Sequence, residues 1–191
     1  MEQISEAAER EARSRLNTLV AITVALLATF MGVAKIKDDN IVQAMQQAQA
    51  DRVDHWSYYQ AKVLREEVAR SAADQMRAQA SAATPAAPAL RAAAARYDSL
   101  ADAEATKKLA VRAQAEGDQR TYDALNYRDD QFDLADAMAA IAISLLAITS
   151  LTQKRWLYGL ALVPTSVAVL MGLAGLLGWH IHSDLIARLL S

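Results

Sequence analysis

The sequence predicts an all-α integral membrane protein, with three transmembrane helices and a long antiparallel helical hairpin, a coiled-coil-like stalk, outside the lipid. Two observations carry this expectation. Three runs, at 16–34, 137–153 and 156–183, contain no Asp, Glu, Lys or Arg. Between the first two lies a stretch rich in Ala, Gln, Arg and Glu, whose only helix breakers are Pro85, Pro88 and Gly117. Good helix formers over so long a stretch favour continuous helices.

Composition narrows the function classes. The chain has 191 residues, is 53% hydrophobic and carries a formal net charge of −2. No basic footprint for nucleic acid exists at that charge. The absence of cysteine excludes disulfides, thiolate nucleophiles and cysteine metal sites.

The elements follow in order. Residues 1–15 form a polar N-terminal helix in which Glu6–Arg10 and Glu9–Arg13 are spaced for ion pairing. Transmembrane helix 1 spans 16–34. It is longer than the apolar core of a secretory signal, and Lys35 and Lys37 follow it without a small-residue cleavage site. Transmembrane helix 2, at 137–153, is close to the ~17-residue lower limit for crossing a bilayer, and helix 3, at 156–183, exceeds it. In lipid the backbone must satisfy itself, so each run is helical. Trp156 and Tyr158 at one end of helix 3, and Trp179 and His180 at the other, suit the membrane interface. Residues 184–191 complete the chain as an interfacial tail. Arg10, Arg13 and Arg15 share a side with the Lys154–Arg155 turn, against Lys35, Lys37, Arg128 and Arg188. This bias puts the N-terminus in the cytoplasm and the stalk in the periplasm of a bacterial inner membrane.

The extramembrane hairpin occupies 35–136, with its tip near 84–89. Lengths decide how Gly117 is read. At ~1.5 Å per residue, an ascending helix of ~67 Å is matched only if both segments flanking Gly117 descend. A break near 117 is therefore expected, and not a second reversal. The segment holds 26 alanines against 13 Leu, Ile and Val residues. Such a seam buries little apolar area, at ~25 cal/mol per Å². We therefore expect a homo-oligomer; a monomer steadied by its membrane anchors is the alternative. Trp56, Tyr59, Val63 and Tyr122 are the expected aromatic core of the stalk, and a surface for a protein partner.

Around this core the run Asp51-Arg-Val-Asp-His-Trp-Ser-Tyr-Tyr-Gln-Ala-Lys62 resembles the signature of an uncharacterised bacterial membrane-protein family, the domain-of-unknown-function 4337 family. The matching positions are Asp54, Trp56, Tyr58, Tyr59, Gln60, Ala61 and Lys62. The resemblance implies an N-terminal span, an alanine- and glutamine-rich helical middle and paired C-terminal spans. It implies no activity.

Chemistry-bearing motifs are sparse. There is no phosphate-cradling glycine loop, no nucleophile elbow and no His-Glu-x-x-His pair. Asp51 and His55 share a helix face, and His180 and Asp184 lie one turn apart; both pairs are weighed as structural. We expect no enzyme and no cofactor. Asp129, Asp133 and Asp136 fall on one face at the entrance to transmembrane helix 2. They are weak candidates for a cation site, and in an oligomer they would make acidic rings at a channel mouth. A cation-conducting channel is thus the alternative to a structural or interaction protein. In transmembrane helix 3, Ala168, Gly172, Gly175 and Gly178 offer small-residue packing in lipid.

Overall fold

The computed structural model describes residues 2–82 and 85–179, with side chains from residue 10 onward. It contains three helices: α1 (Glu2–Ala80), α2 (Ala87–Thr152) and α3 (Arg155–Leu177). No strand occurs among the described residues. The tail expected at 184–191 lies outside them, as do His180 and Asp184.

The lengths of α1 and α2 follow from what is missing inside them. Neither has an internal proline beyond Pro88, which sits in the first turn of α2, where a helix needs no N–H from it. Ion pairs one turn apart, such as Glu11–Arg15 and Arg112–Glu116, line the exposed faces. The break expected near Gly117 is absent: α2 runs through it without interruption. A lone glycine in a helix costs only about 1 kcal/mol. Here the Thr121 hydroxyl bonds to the Gly117 carbonyl across the position. The α2–α3 connection turns on Gln153, which takes the left-handed conformation at φ 58°, with Lys154 extended behind it. The Gln153 N–H closes the end of α2 on the Thr149 carbonyl at 2.9 Å.

Full or partial burial along α1 recurs in alternating steps of three and four residues, from Val20 to Ala80. That spacing keeps burial on one face of the helix.

The chain divides into two compact units. The first comprises Met1–Ala44 and Ala124–Ser191. Its core is stacked in layers that each draw on all or most of the three helices. Val20, Leu146 and Ala161 form one layer, and Leu27, Ala139, Ala142 and Ala168 another. Leu134, Ala135 and Met171 form a third. Numbers rise in α1 and α3 while they fall in α2, so neighbouring segments run antiparallel. Phe30 and Phe132 fill the spaces over Gly172 and Gly175: a Cβ at Gly172 would come within 2.7 Å of the Phe30 ring, and one at Gly175 within 2.8 Å of the Phe132 ring. Large apolar residues such as Leu26, Val33, Leu151 and Val163 point outward from the same unit.

The second unit is Met45–Asp123. Its segments of α1 and α2 run antiparallel, tied by Arg77–Asp98, Arg70–Asp102 and Lys108–Glu66. Ala69, Ala73 and Ala80 are buried on one segment, and Ala94, Ala101 and Ala115 on the other.

Candidate functional site

Polar residues stand at seam positions where apolar ones are the norm, and these positions carry the chemistry of the chain. In the second unit Lys62 occupies the position one heptad before Ala69. Its side chain is 6% exposed and its ammonium lies 2.9 Å from Glu104 Oε2, itself 7% exposed. Lys107 approaches the other oxygen of Glu104 at 2.9 Å. The two ammonium groups, Lys62 first, hold the Glu104 carboxyl down at about 2. Neighbouring seam positions are also matched by complementary groups. His55 Nδ1 lies 2.6 Å from Asp118 Oδ2, and Arg52 donates to Gln119 while its guanidinium covers the Tyr122 ring. Glu66 accepts from Lys108 at 2.6 Å, which lowers the Glu66 carboxyl below its usual range.

These groups take the places where aromatic residues were expected. Trp56 is 37% exposed and packs edge-on to Tyr59 in its own helix, with centroids 5.4 Å apart. Tyr59, Val63 and Tyr122 are half-buried. Within one chain, then, Trp56, Tyr59, Val63 and Tyr122 form no closed core. Alanines and ion pairs fill the seam, and Trp56 is left outside it.

In the first unit the acidic residues divide by exposure. Asp133 and Asp136 are exposed, whereas Asp129 is half-buried on the face toward α1. There it lies within hydrogen-bond reach of Asp38. Asp38 is 2% exposed. Lys35 Nζ donates to its Oδ2 at 2.6 Å, and its Oδ1 has no partner. Partial burial, with the charges of Asp133 and Asp38 beside it, pushes the Asp129 carboxyl up to about 6. Partial loss of solvent on the sides turned to the helices, with the Asp133 charge beside them, also raises Asp130 and Asp136. Among the described residues no group of three or more His, Asp or Glu side chains is arranged to hold a metal ion.

The end of α3 is fastened to α2 on the adjoining face. Arg128 donates twice to the Gly175 carbonyl, at 2.8 and 3.2 Å, and Gln131 donates to the Trp179 carbonyl at 2.8 Å. The carbonyls in the last turn of a helix lack partners within it, and a cation there also suits the helix dipole. Ala168, Gly172 and Gly175 are buried against neighbours. Gly178 departs from its expected packing role. It ends α3 in the left-handed conformation at φ 69°, its N–H bonding to the Ala174 carbonyl, with open space where a Cβ would go.

The family model described as Domain of unknown function (DUF4337) matches residues 16–178. The chain belongs to that family. No curated protein and no solved structure matches it. The DUF4337 match runs from the start of the first apolar run to Gly178, so it takes in Asp38, Lys62, Glu104 and Asp129 alike. Sequence reasoning missed Asp38 and Glu104, and named Lys62 only as a position of the resembling run. The available signal was spacing: Asp38 falls between Ala34 and Ile41, and Lys62 one heptad before Ala69, in a register of buried small and apolar residues.

Proposed function

We propose that this DUF4337 chain is a multi-pass membrane protein, of the bacterial inner membrane, whose paired helical segment stands outside the lipid as a coiled-coil stalk. We read that segment as the surface for self-assembly and for docking a protein partner. Each of the three helices contains a stretch long and apolar enough to cross a membrane. Outward-facing Leu26, Val33, Leu151 and Val163 suit a lipid surround.

One observation carries the assembly reading. Val53, Trp56, Leu64 and Val68 are all exposed. At roughly 100° per residue they share a face of α1 opposite the seam residues Lys62, Ala69 and Ala73. Between Trp56 and Leu64 this second face carries only the neutral Ser57 and Gln60. Glu67 is the one charged residue on this face between Val53 and Val68, and the rest is apolar or neutral, which suits a second copy of the same stripe. The first seam, built largely of alanine, gains little from burial, and a second apolar contact adds area where the chain has least.

The mass of the purified complex in detergent tests this. We expect a mass of two or more chains. Leu64→Glu should shift it toward one chain, and Trp56→Ala should weaken association at low protein concentration. A wild-type complex of one chain, or an unchanged mass in Leu64→Glu, overturns self-assembly through this stripe. The channel alternative has less support, because Asp129 is engaged with Asp38 of its own chain.

A further inference from the structure

We propose that Asp38 and Asp129 form a proton-binding site, one proton held between two carboxyls at the border of the apolar bundle. The burial of Asp38, the acid that faces it and the charges around the pair converge on it.

Asp38 is placed like a core residue. It stands in the α1 register between buried Ala34 and Ile41, and is as inaccessible as they are. Only one of its oxygens is satisfied, by Lys35; the other is buried with no donor. Leaving a buried carboxylate oxygen bare is unfavourable, and native structures supply such atoms with a donor.

The group α2 brings into reach is another acid. Where polar side chains stand at other seam positions, the facing helix complements them: Lys62 meets Glu104, Glu66 meets Lys108 and His55 meets Asp118. Asp38 meets Asp129. Two carboxylates in contact cannot both be ionised without strong repulsion, and the stable form of such a pair carries one proton between them. With the proton on Asp129, its O–H donates to Asp38 and supplies the missing partner. The pair then carries one negative charge, beside the Lys35 ammonium. Loss of the proton leaves two charges and restores the bare oxygen.

The surroundings favour the protonated form. On α1 the charged neighbours are Lys35 and Asp39; on α2 they are Asp130, Asp133 and Asp136, with Arg128 turned to the Gly175 carbonyl. α3 offers no carboxylate, amine or imidazole between Trp156 and Leu177. The charged groups acting on Asp129 are acids: Asp133, Asp38 and Asp130. Its folded-state carboxyl, raised to about 6, therefore stays protonated to higher pH than in the unfolded chain. The linkage has a definite sign. The stability this site gives is fully present below the unfolded value of 3.8 and is lost as pH rises through about 6.

The test uses the full chain in detergent or nanodiscs, with infrared difference spectra and thermal unfolding between about pH 5 and about pH 8. The wild type should show a protonated-carboxyl stretch that disappears across this window, and a melting temperature that falls with it. Asp129→Asn replaces the acid by a permanent amide donor. It should lose that component of the band, fold normally and show a shallower fall. Asp38→Asn leaves Asp129 in place without its charged acceptor, and the midpoint of the band should move to lower pH. Asp39→Asn should change neither. An identical band in Asp129→Asn, or an unmoved midpoint in Asp38→Asn, overturns the shared proton. So does stabilisation of the wild type by calcium at about pH 8 that Asp129→Asn abolishes, since the site would then hold a metal ion.

Discussion

A methyl group added at Gly175 and one added at Gly172 would meet rings of unequal freedom. Phe132, over Gly175, is 2% exposed, and the Gly175 carbonyl is held by the Arg128 guanidinium. Phe30, over Gly172, is only half-buried and can swing aside. Overpacking a core site that cannot relax costs typically 1–3 kcal/mol, against a gain of about 1 kcal/mol for replacing a helical glycine by alanine. We expect Gly175→Ala to lower the melting temperature in detergent and Gly172→Ala to leave it nearly unchanged. Equal effects would show that the two rings are equally confined. At this scale sequence was a partial guide. The small-residue face of α3 was legible because Gly172 and Gly175 can hardly serve any purpose but close approach within an apolar run. Gly178 shares their spacing, yet it ends the helix, and spacing alone does not separate packing from a left-handed stop. Lys62 and Glu104 were illegible for another reason. A charged residue on an alanine-rich helix looks solvated until the opposing helix places its counter-charge, and that pairing joins residues 42 positions apart.

Between residues and whole chain, continuity of the helices is the informative property. The all-helical state was legible because Ala, Gln, Glu and Arg dominate stretches with almost no breaker. The break expected at Gly117 rested on a local stop signal, Gly117-Asp118, and such a signal is weak against strong helix formers on both sides. Asp118 is instead engaged with His55, and Gln119 with Arg52 and Asp123, so the turn after the glycine is anchored by side chains. Gly117 itself has open space where a Cβ would sit. Nothing in the structure requires glycine there. Gly117→Ala should therefore stabilise the chain by up to about 1 kcal/mol, chiefly by restricting the unfolded state and favouring the helix. Denaturant unfolding of the variant checks this. A loss of stability would mean that α2 must bend at this position in the working protein.

For the molecule as a whole, the proposed membrane reading has a definite consequence for which segments face which side. The apolar layers of the first unit are ringed by outward-facing apolar side chains such as Leu26, Leu151 and Val163, an arrangement that suits lipid. The second has charged faces and a seam of alanines, suited to water. A reading in which α1 and α2 each cross the bilayer and continue into the aqueous phase places the 81–86 connection on one side and the Lys154–Arg155 turn on the other. On the proposed reading the basic turn faces the cytoplasm, because short loops rich in Lys and Arg stay there. The absence of native cysteine makes this directly measurable. Ser81→Cys and Thr152→Cys each introduce a single thiol at an exposed position while preserving Lys154 and Arg155. In intact bacterial cells with a permeabilised outer membrane, an impermeant maleimide should label Ser81→Cys and spare Thr152→Cys until the inner membrane is disrupted. Labelling in the reverse order would invert the orientation and place the paired helices in the cytoplasm. Labelling of both sites before disruption would mean that α2 does not cross the bilayer at all, and the stalk reading would fall with it.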